Sequence, residues 1–269
     1  MAAGIFLLVG LSYVTGRIMQ KREAGWLKDF SGFYFAHRGL FDNREIPENS
    51  IPAFQKAVEC GYGIELDVQL TKDGKPVIFH DASLLRICGV DKSVTECTYE
   101  ELCAFSLLDT DLSVPLLEEV LELVGGRVPL IVEIKSSGDV KKTSETVAAK
   151  LKGYSGLFCI ESFHPAVPLW FRKHCPQVIC GRLSTDTRKD GLSYSVLERW
   201  VLLTLITDLY TRPAFLAFNQ KHAKRLSYRL CRCLYPVANV AWTVRSKEQQ
   251  KEAQKEFSLL IFDSYRPDK

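Results

Sequence analysis

The feature that most constrains this chain is a run of eight short apolar strands alternating with longer helical stretches. The strand segments run Phe33 to Gly39, Gly63 to Leu70, Val128 to Lys135, Leu157 to Phe163, Val178 to Leu183, Ala214 to Asn219, Asn239 to Val244 and Leu259 to Tyr265. Each is rich in β-branched, aromatic or aliphatic residues and is bounded by Gly, Pro or polar residues. Several are nearly continuous apolar runs, the pattern of parallel strands covered on both faces. Helical stretches are expected at Ser50 to Cys60, Leu116 to Val124, Thr143 to Leu151, Pro165 to His174, Tyr194 to Tyr210, Lys221 to Leu234 and Lys247 to Phe257. Such alternation calls for a parallel α/β fold. Eight units favour closure into a TIM (β/α)8 barrel over an open doubly wound sheet, and 269 residues suit a fold that takes about 250. One feature interrupts the pattern. Lys72, Asp73 and Gly74 form a turn signal after strand two, and Pro76 to Asp81 then reads as a returning hairpin strand. Ala82 to Ser113 is expected to form a small insertion before the next helix.

Active sites of such barrels lie at the C-terminal ends of the strands. Strand one ends in His37 and Arg38, strand two carries Glu65 and Asp67, the hairpin ends in His80 and Asp81, and strand three carries Glu133 and Lys135. Glu65 and Asp67 are two residues apart, so on a strand they share a face. Three carboxylates meeting at a barrel mouth would repel one another. A divalent cation removes that cost, and oxygen ligands suit Mg²⁺ or Ca²⁺; Mn²⁺ is also expected to serve. Arg38 and Lys135 add positive charge where a phosphate would sit. His37 and His80 are of the right type for a general base and a general acid. Each motif alone is weak, because charged pairs on strands are usually salt-bridged or solvated. The weight comes from their coincidence at one end of one fold, where unpartnered ionisable groups are costly to bury.

Charge and cysteines bound the partners and the compartment. The formal net charge of +3, without an Arg-rich run or aromatic-basic interleaving, excludes nucleic acid as the expected partner. Nine cysteines with no CxxC pair fit idle thiols in a reducing compartment. The first 30 residues stand apart from a barrel domain expected over 31–269. Ala2 to Thr15 is almost wholly apolar, and Arg17, Lys21 and Arg22 follow it. That run is shorter than the roughly 20 residues of a spanning helix. It lacks the basic start and small-residue cleavage site of a secretory signal. We expect residues 1–22 to associate with a membrane, with the positive flank placing the barrel on the cytoplasmic side; the alternative is a cytoplasmic protein whose N-terminus is an ordinary amphipathic helix.

The motifs together resemble the glycerophosphodiester phosphodiesterase family of the phospholipase C-like superfamily, bacterial type. They are AHRG at Ala36 to Gly39, PENS at Pro47 to Ser50, ELDVQLTKDGKPVIFHD at Glu65 to Asp81, VEIK at Val132 to Lys135, ESF at Glu161 to Phe163 and AWTV at Ala241 to Val244. The resemblance spans about Tyr34 to Pro267. It implies Glu65, Asp67 and Glu133 as metal ligands, His37 and His80 as the acid-base pair, and Arg38 and Lys135 as phosphate contacts. It also implies Trp242 as a wall for the glycerol moiety and Glu48 and Asn49 as braces. PENS stands where PENT is commoner, and the hydroxyl is kept.

The implied reaction cleaves a glycerophosphodiester to glycerol 3-phosphate and an alcohol, with water or the glycerol 2-hydroxyl as nucleophile. Three alternatives differ in substrate or activity: a lysophospholipid substrate, a sphingomyelinase D-like enzyme, and a non-catalytic binding barrel. The apolar leader and the stretch Trp200 to Ile206 point toward the first. Trp242 and VEIK argue against the second, and the full set of ionisable residues argues against the third.

Overall fold

The computed structural model of the protein describes residues 25–186, 189–190, 195, 199, 202, 205, 207–234 and 237–268. The expected leader, 1–22, and most of the expected helix Tyr194 to Tyr210 lie outside them. Among the described residues the strands are β1 (Phe35–His37), β2 (Gly63–Leu70), β3 (Pro76–Ile78), β4 (Leu130–Ile134), β5 (Phe158–Ser162), β6 (Cys180–Ser184), β7 (Phe215–Asn219), β8 (Ala238–Val244) and β9 (Leu259–Phe262). All but β3 run parallel, in the order β1-β2-β4-β5-β6-β7-β8-β9, and β9 returns to pair with β1. The sheet is therefore a closed eight-stranded parallel barrel. Every residue of β2 is buried, although the sequence alternates Ile64, Leu66, Val68 and Leu70 with Glu65, Asp67 and Gln69, so the strand carries its polar side chains into the barrel.

The helices are α1 (Trp26–Phe30), α2 (Ile51–Glu59), α3 (Leu85–Cys88), α4 (Tyr99–Cys103), α5 (Leu117–Val124), α6 (Val140–Leu151), α7 (Ala166–His174), α8 (Asp208–Thr211), α9 (Leu226–Leu234) and α10 (Lys247–Ala253). Ser50 caps α2 by accepting from the Ala53 N–H. Helix α6 begins three residues before the apolar pattern predicts, because Asp139 accepts from the Lys141 and Lys142 amides and starts a polar first turn. The single helix expected from Lys221 to Leu234 is instead a 3₁₀ turn at Gln220–His222 followed by α9. Strand one is shorter than expected because Arg38 (φ 58°) and Gly39 (φ 83°) take left-handed conformations and turn the chain.

After β2 the chain turns at Lys72 and Asp73 and returns as β3, antiparallel to β2 with Val68 opposite Ile78. The following segment holds α3 and α4. It buries its own apolar cluster, including Val77, Leu84, Ile87, Val94, Leu102 and Val114.

The opposite end of the barrel is sealed by α1. Residues 26–30, expected from sequence to stand apart from the barrel domain, pack there because their aromatic side chains fit the barrel floor. The Trp26 ring lies 5.6 Å from that of Phe215 and 5.4 Å from that of Phe30, and Phe30 lies 6.2 Å from Phe35. Phe30 and Phe215 are fully buried, and each contributes about 1.5–3 kcal/mol by burial. The floor has no spare room. A Cβ at Gly181 would sit 2.2 Å from the Phe215 ring.

Candidate active site

Strand geometry brings the acidic residues together. Glu65 and Asp67 alternate onto the inner face of β2, and Glu133 pairs with Asp67 across to β4. One oxygen from each of the three lies within 4.8 Å of the others, and all three side chains are buried. The site continues onto β5, where Glu161 pairs with Glu133.

Four groups hold Asp67. Lys135, just past the end of β4, donates to Asp67 Oδ1 at 3.0 Å and lies 2.8 Å from Glu133 Oε1. Asn49 donates to Asp67 Oδ2 at 2.8 Å, and the Arg38 guanidinium lies 3.6 Å from that oxygen. His80 adds positive influence at longer range. Burial alone would raise the Asp67 carboxyl, but these neighbours hold it well below the usual range. Glu65 behaves oppositely. Burial, then the charges of Asp67, Glu133 and Glu161, push it well above its ordinary value, and burial also raises Glu133. Buried like charges cannot all ionise side by side. The all-oxygen donor set, with repulsion that a dication would relieve, fits a hard divalent metal held by Glu65, Asp67 and Glu133.

Each histidine is oriented by an aspartate. His37 Nδ1 lies 3.1 Å from Asp263 Oδ2, and its Nε2 lies 4.0 Å from Glu65. Burial, with Arg38 beside it, lowers His37 to about 4. Arg245 grips Asp263 with two bonds, at 2.8 and 3.1 Å. His80 Nδ1 lies 2.6 Å from Asp81 Oδ1, and Arg86 donates to Asp81 Oδ2 at 2.6 Å. Arg86 also makes two bonds to Glu48, which accepts from Arg38 and Asn43. Burial opposes ionisation of Glu48, yet the bond to Arg86 and the charge of Arg38 bring it down to about 2.

Backbone strain accompanies this chemistry. Arg38 and Asn49 both have positive φ, a conformation costly for side-chain-bearing residues. The bend aims the Arg38 N–H at Glu65 Oε2, 3.1 Å away, and the Asn49 N–H bonds the Arg38 carbonyl at 2.9 Å. His37, Arg38, Glu65, His80, Glu133 and Trp242 all line one cavity of about 120 Å³. Trp242 meets Phe163 edge-on, with ring centroids 5.6 Å apart.

The eight residues expected to be metal ligands, acid-base groups, phosphate contacts or the glycerol wall meet at this mouth, and Glu48 and Asn49 bond to Arg38 and Asp67 beside them. Sequence reasoning did not assign Asp263, Arg86, Arg245 or Glu161 a role. Asp263 was visible only as a strand end. Glu161 could have been found from its register beside Glu133. Arg86 gave no signal, since its reach depends on how α3 packs.

The family model described as "Glycerophosphoryl diester phosphodiesterase family" matches residues 37–173. A glycerophosphodiester phosphodiesterase of Bacillus altitudinis is 35% identical over 164 residues, covering 56% of this chain and 66% of that protein. One from Caldanaerobacter subterraneus is 43% identical over 112 residues, covering 38% and 44%. A human lysophospholipase D is 35% identical over 157 residues, covering 53% and 47%. The matches thus span from under half to about two thirds of these relatives' own length. Among solved structures, an Oleispira antarctica phosphodiesterase in complex with the product sn-glycerol-3-phosphate aligns with a TM-score of 0.69 at 20% identity, over 87% of this chain and 93% of that one. A glycerophosphodiester phosphodiesterase from Thermotoga maritima aligns at 0.66 and 24%, over 86% and 94%. At these identities the two structures speak for the shared barrel.

Proposed function

This chain belongs to the glycerophosphoryl diester phosphodiesterase family, and on that premise we propose that it hydrolyses glycerophosphodiesters to glycerol 3-phosphate and an alcohol. The observation that supports this most is a close group of three buried carboxylates, Glu65, Asp67 and Glu133, of which Glu65 and Glu133 line one cavity with two aspartate-anchored histidines. In this reading Glu65, Asp67 and Glu133 hold Mg²⁺ or Ca²⁺, with Mn²⁺ able to substitute. Such an ion, when bound, neutralises phosphate charge and lowers the pKa of an oxygen nucleophile. Arg38 and Lys135 orient the phosphate oxygens. Asp263 and Asp81 each fix one ring nitrogen of a histidine, leaving Nε2 for the reacting atoms. One histidine takes the proton of the nucleophile, water or the glycerol 2-hydroxyl, and the other protonates the leaving alcohol. A 2-hydroxyl attack gains from intramolecularity and would release a cyclic phosphate detectable by ³¹P NMR.

A product assay tests the reading on glycerophosphocholine, glycerophosphoethanolamine and lysophosphatidylcholine, with and without chelator. Metal-dependent release of glycerol 3-phosphate from the first two is expected. Full turnover by dialysed enzyme in chelator would sink the metal assignment. The likeness to a lysophospholipase D favours a second reading, in which the third substrate is preferred.

We further propose that the apolar leader associates with a membrane, with the barrel on the cytoplasmic side. Among the described residues no helix is long and apolar enough to cross one, so the proposal rests on residues 1–22 alone. Flotation of the full chain with vesicles, lost on deletion of 1–22, is the expected result. A full chain that stays in solution would refute it.

A further inference from the structure

Among the described carboxyl residues that line the cavity, Glu65, Glu133 and Glu161, the proposed reaction leaves Glu161 without a task. It lies on β5 beside Glu133, is 1% exposed, and faces the cavity shared by His37, His80 and Trp242. Its Oε2 is buried with no hydrogen-bond partner. It does not belong to the close group formed by Glu65, Asp67 and Glu133. A buried polar atom without a partner destabilises a fold. Groups of this kind persist at sites where a ligand completes them.

Arg38 and Lys135 supply the cations that suit a phosphate, and Lys135 bridges Asp67 and Glu133. Glu161 lies with Phe163 and Trp242 among the lining residues. A carboxyl oxygen in a cavity that aromatic rings also line accepts from a hydroxyl, whose carbon skeleton can lie against the rings. A quaternary ammonium has no N–H or O–H to give, so a choline head group would leave Oε2 unsatisfied.

We propose that Glu161 is a specificity-determining residue that accepts a hydrogen bond from a free hydroxyl of the glycerol moiety, so that the site selects a polyol phosphate over other phosphate esters. The proposal rests on the glycerophosphodiesterase reading and deepens it.

The test uses the full chain with Mg²⁺ or Ca²⁺ present, as wild type, Glu161→Leu and Glu161→Gln. Calorimetric titrations with inorganic phosphate, ethanolamine phosphate and sn-glycerol 3-phosphate separate the contributions. In Glu161→Leu, glycerol 3-phosphate should bind about 10- to 100-fold more weakly, the range for removing one partner of a buried hydrogen bond. The other two ligands and the metal should bind as before. Glu161→Gln keeps an acceptor oxygen and should recover most of the loss. The melting temperature of Glu161→Leu should stay level or rise, since an unpartnered buried carboxyl is gone. Equal affinity of Glu161→Leu and wild type for glycerol 3-phosphate would overturn the proposal. So would a fall in metal affinity, which would make Glu161 a ligand, or a lower melting temperature with loss of all three phosphates, which would make it structural. A larger loss for ethanolamine phosphate would place the head group there instead. If wild type neither binds glycerol 3-phosphate nor cleaves a glycerophosphodiester, the broader reading has failed, and the proposal fails with it. That outcome is told apart because wild type itself is silent.

Discussion

The two ends of the barrel are built to opposite rules. At the floor, Trp26, Phe30, Phe35 and Phe215 fill the space with aromatic rings. At the mouth, Glu65, Asp67, Glu133 and Glu161 are buried together, beside residues of positive φ. The floor gains stability from apolar burial. The mouth gives some of it up, because desolvated like charges and strained backbone are tolerated where function needs them. The eight strands connect the two ends, so floor packing holds the geometry that mouth repulsion opposes.

The largest expected effect separates the ends outright. Glu65→Ala or Asp67→Ala should lower turnover about 10³-fold or more, as loss of several kcal/mol of electrostatic stabilisation implies. Glu65→Ala should leave the melting temperature level or higher, since it relieves repulsion. Phe215→Ala should do the reverse and cost about 3–5 kcal/mol of stability, while the folded fraction keeps its specific activity. Denaturant titration paired with kinetics on each variant measures both. A Phe215→Ala enzyme of full stability and poor turnover would erase the distinction between floor and mouth.

The same contrast explains what could be read from the sequence. The barrel was legible because strands buried on both faces are short apolar runs, and the inward carboxylates stood out against them. Glu65 and Asp67 needed only the two-residue period of a strand. The orienting partners needed three dimensions. Asp263 reaches His37 because β9 closes onto β1, and closure leaves no mark at either residue. Arg86 reaches Glu48 from 38 positions away through the packing of a segment without clear periodicity. At the floor, the five residues Trp26 to Phe30 are too few for a helical period to identify.

A smaller effect sharpens the picture within the mouth. His37→Ala and His80→Ala should each reduce turnover by about 10² or more, a typical loss for a positioned acid or base. Their combined loss should be far below the product of the single losses. An activated leaving group scarcely needs the acid, so the variant it rescues has lost the acid. Near-full turnover by either single variant on a poor leaving group would make that histidine structural. The paired mechanism would then fall.

The smallest effect concerns a mouth charge that is satisfied. Glu48 is 5% exposed, yet it accepts from Arg38, Arg86 and Asn43, and its folded pKa lies at about 2 against an ordinary 4.5. A carboxyl depressed by folding binds fewer protons folded than unfolded, so it stabilises above its unfolded pKa. That contribution is complete above about 4.5 and is lost as pH falls through about 2. The Arg86 side chain is 46% exposed, so water screens part of the attraction, and we expect about 2 kcal/mol in place of the full linkage value. Urea titrations of wild type and Glu48→Gln from pH 7 down to 2.5 should show wild type ahead at neutral pH. The gap should narrow as acid is added, and the other titrating groups cancel in the difference. Parallel curves would mean that the ionisation of Glu48 adds nothing to the fold, and that the satisfied rim of the mouth does not support the barrel. A closing gap would instead divide the mouth in two: a rim of satisfied charge at Glu48 and Arg86 that supports the barrel, and a centre at Glu65 and Glu161 that loads it.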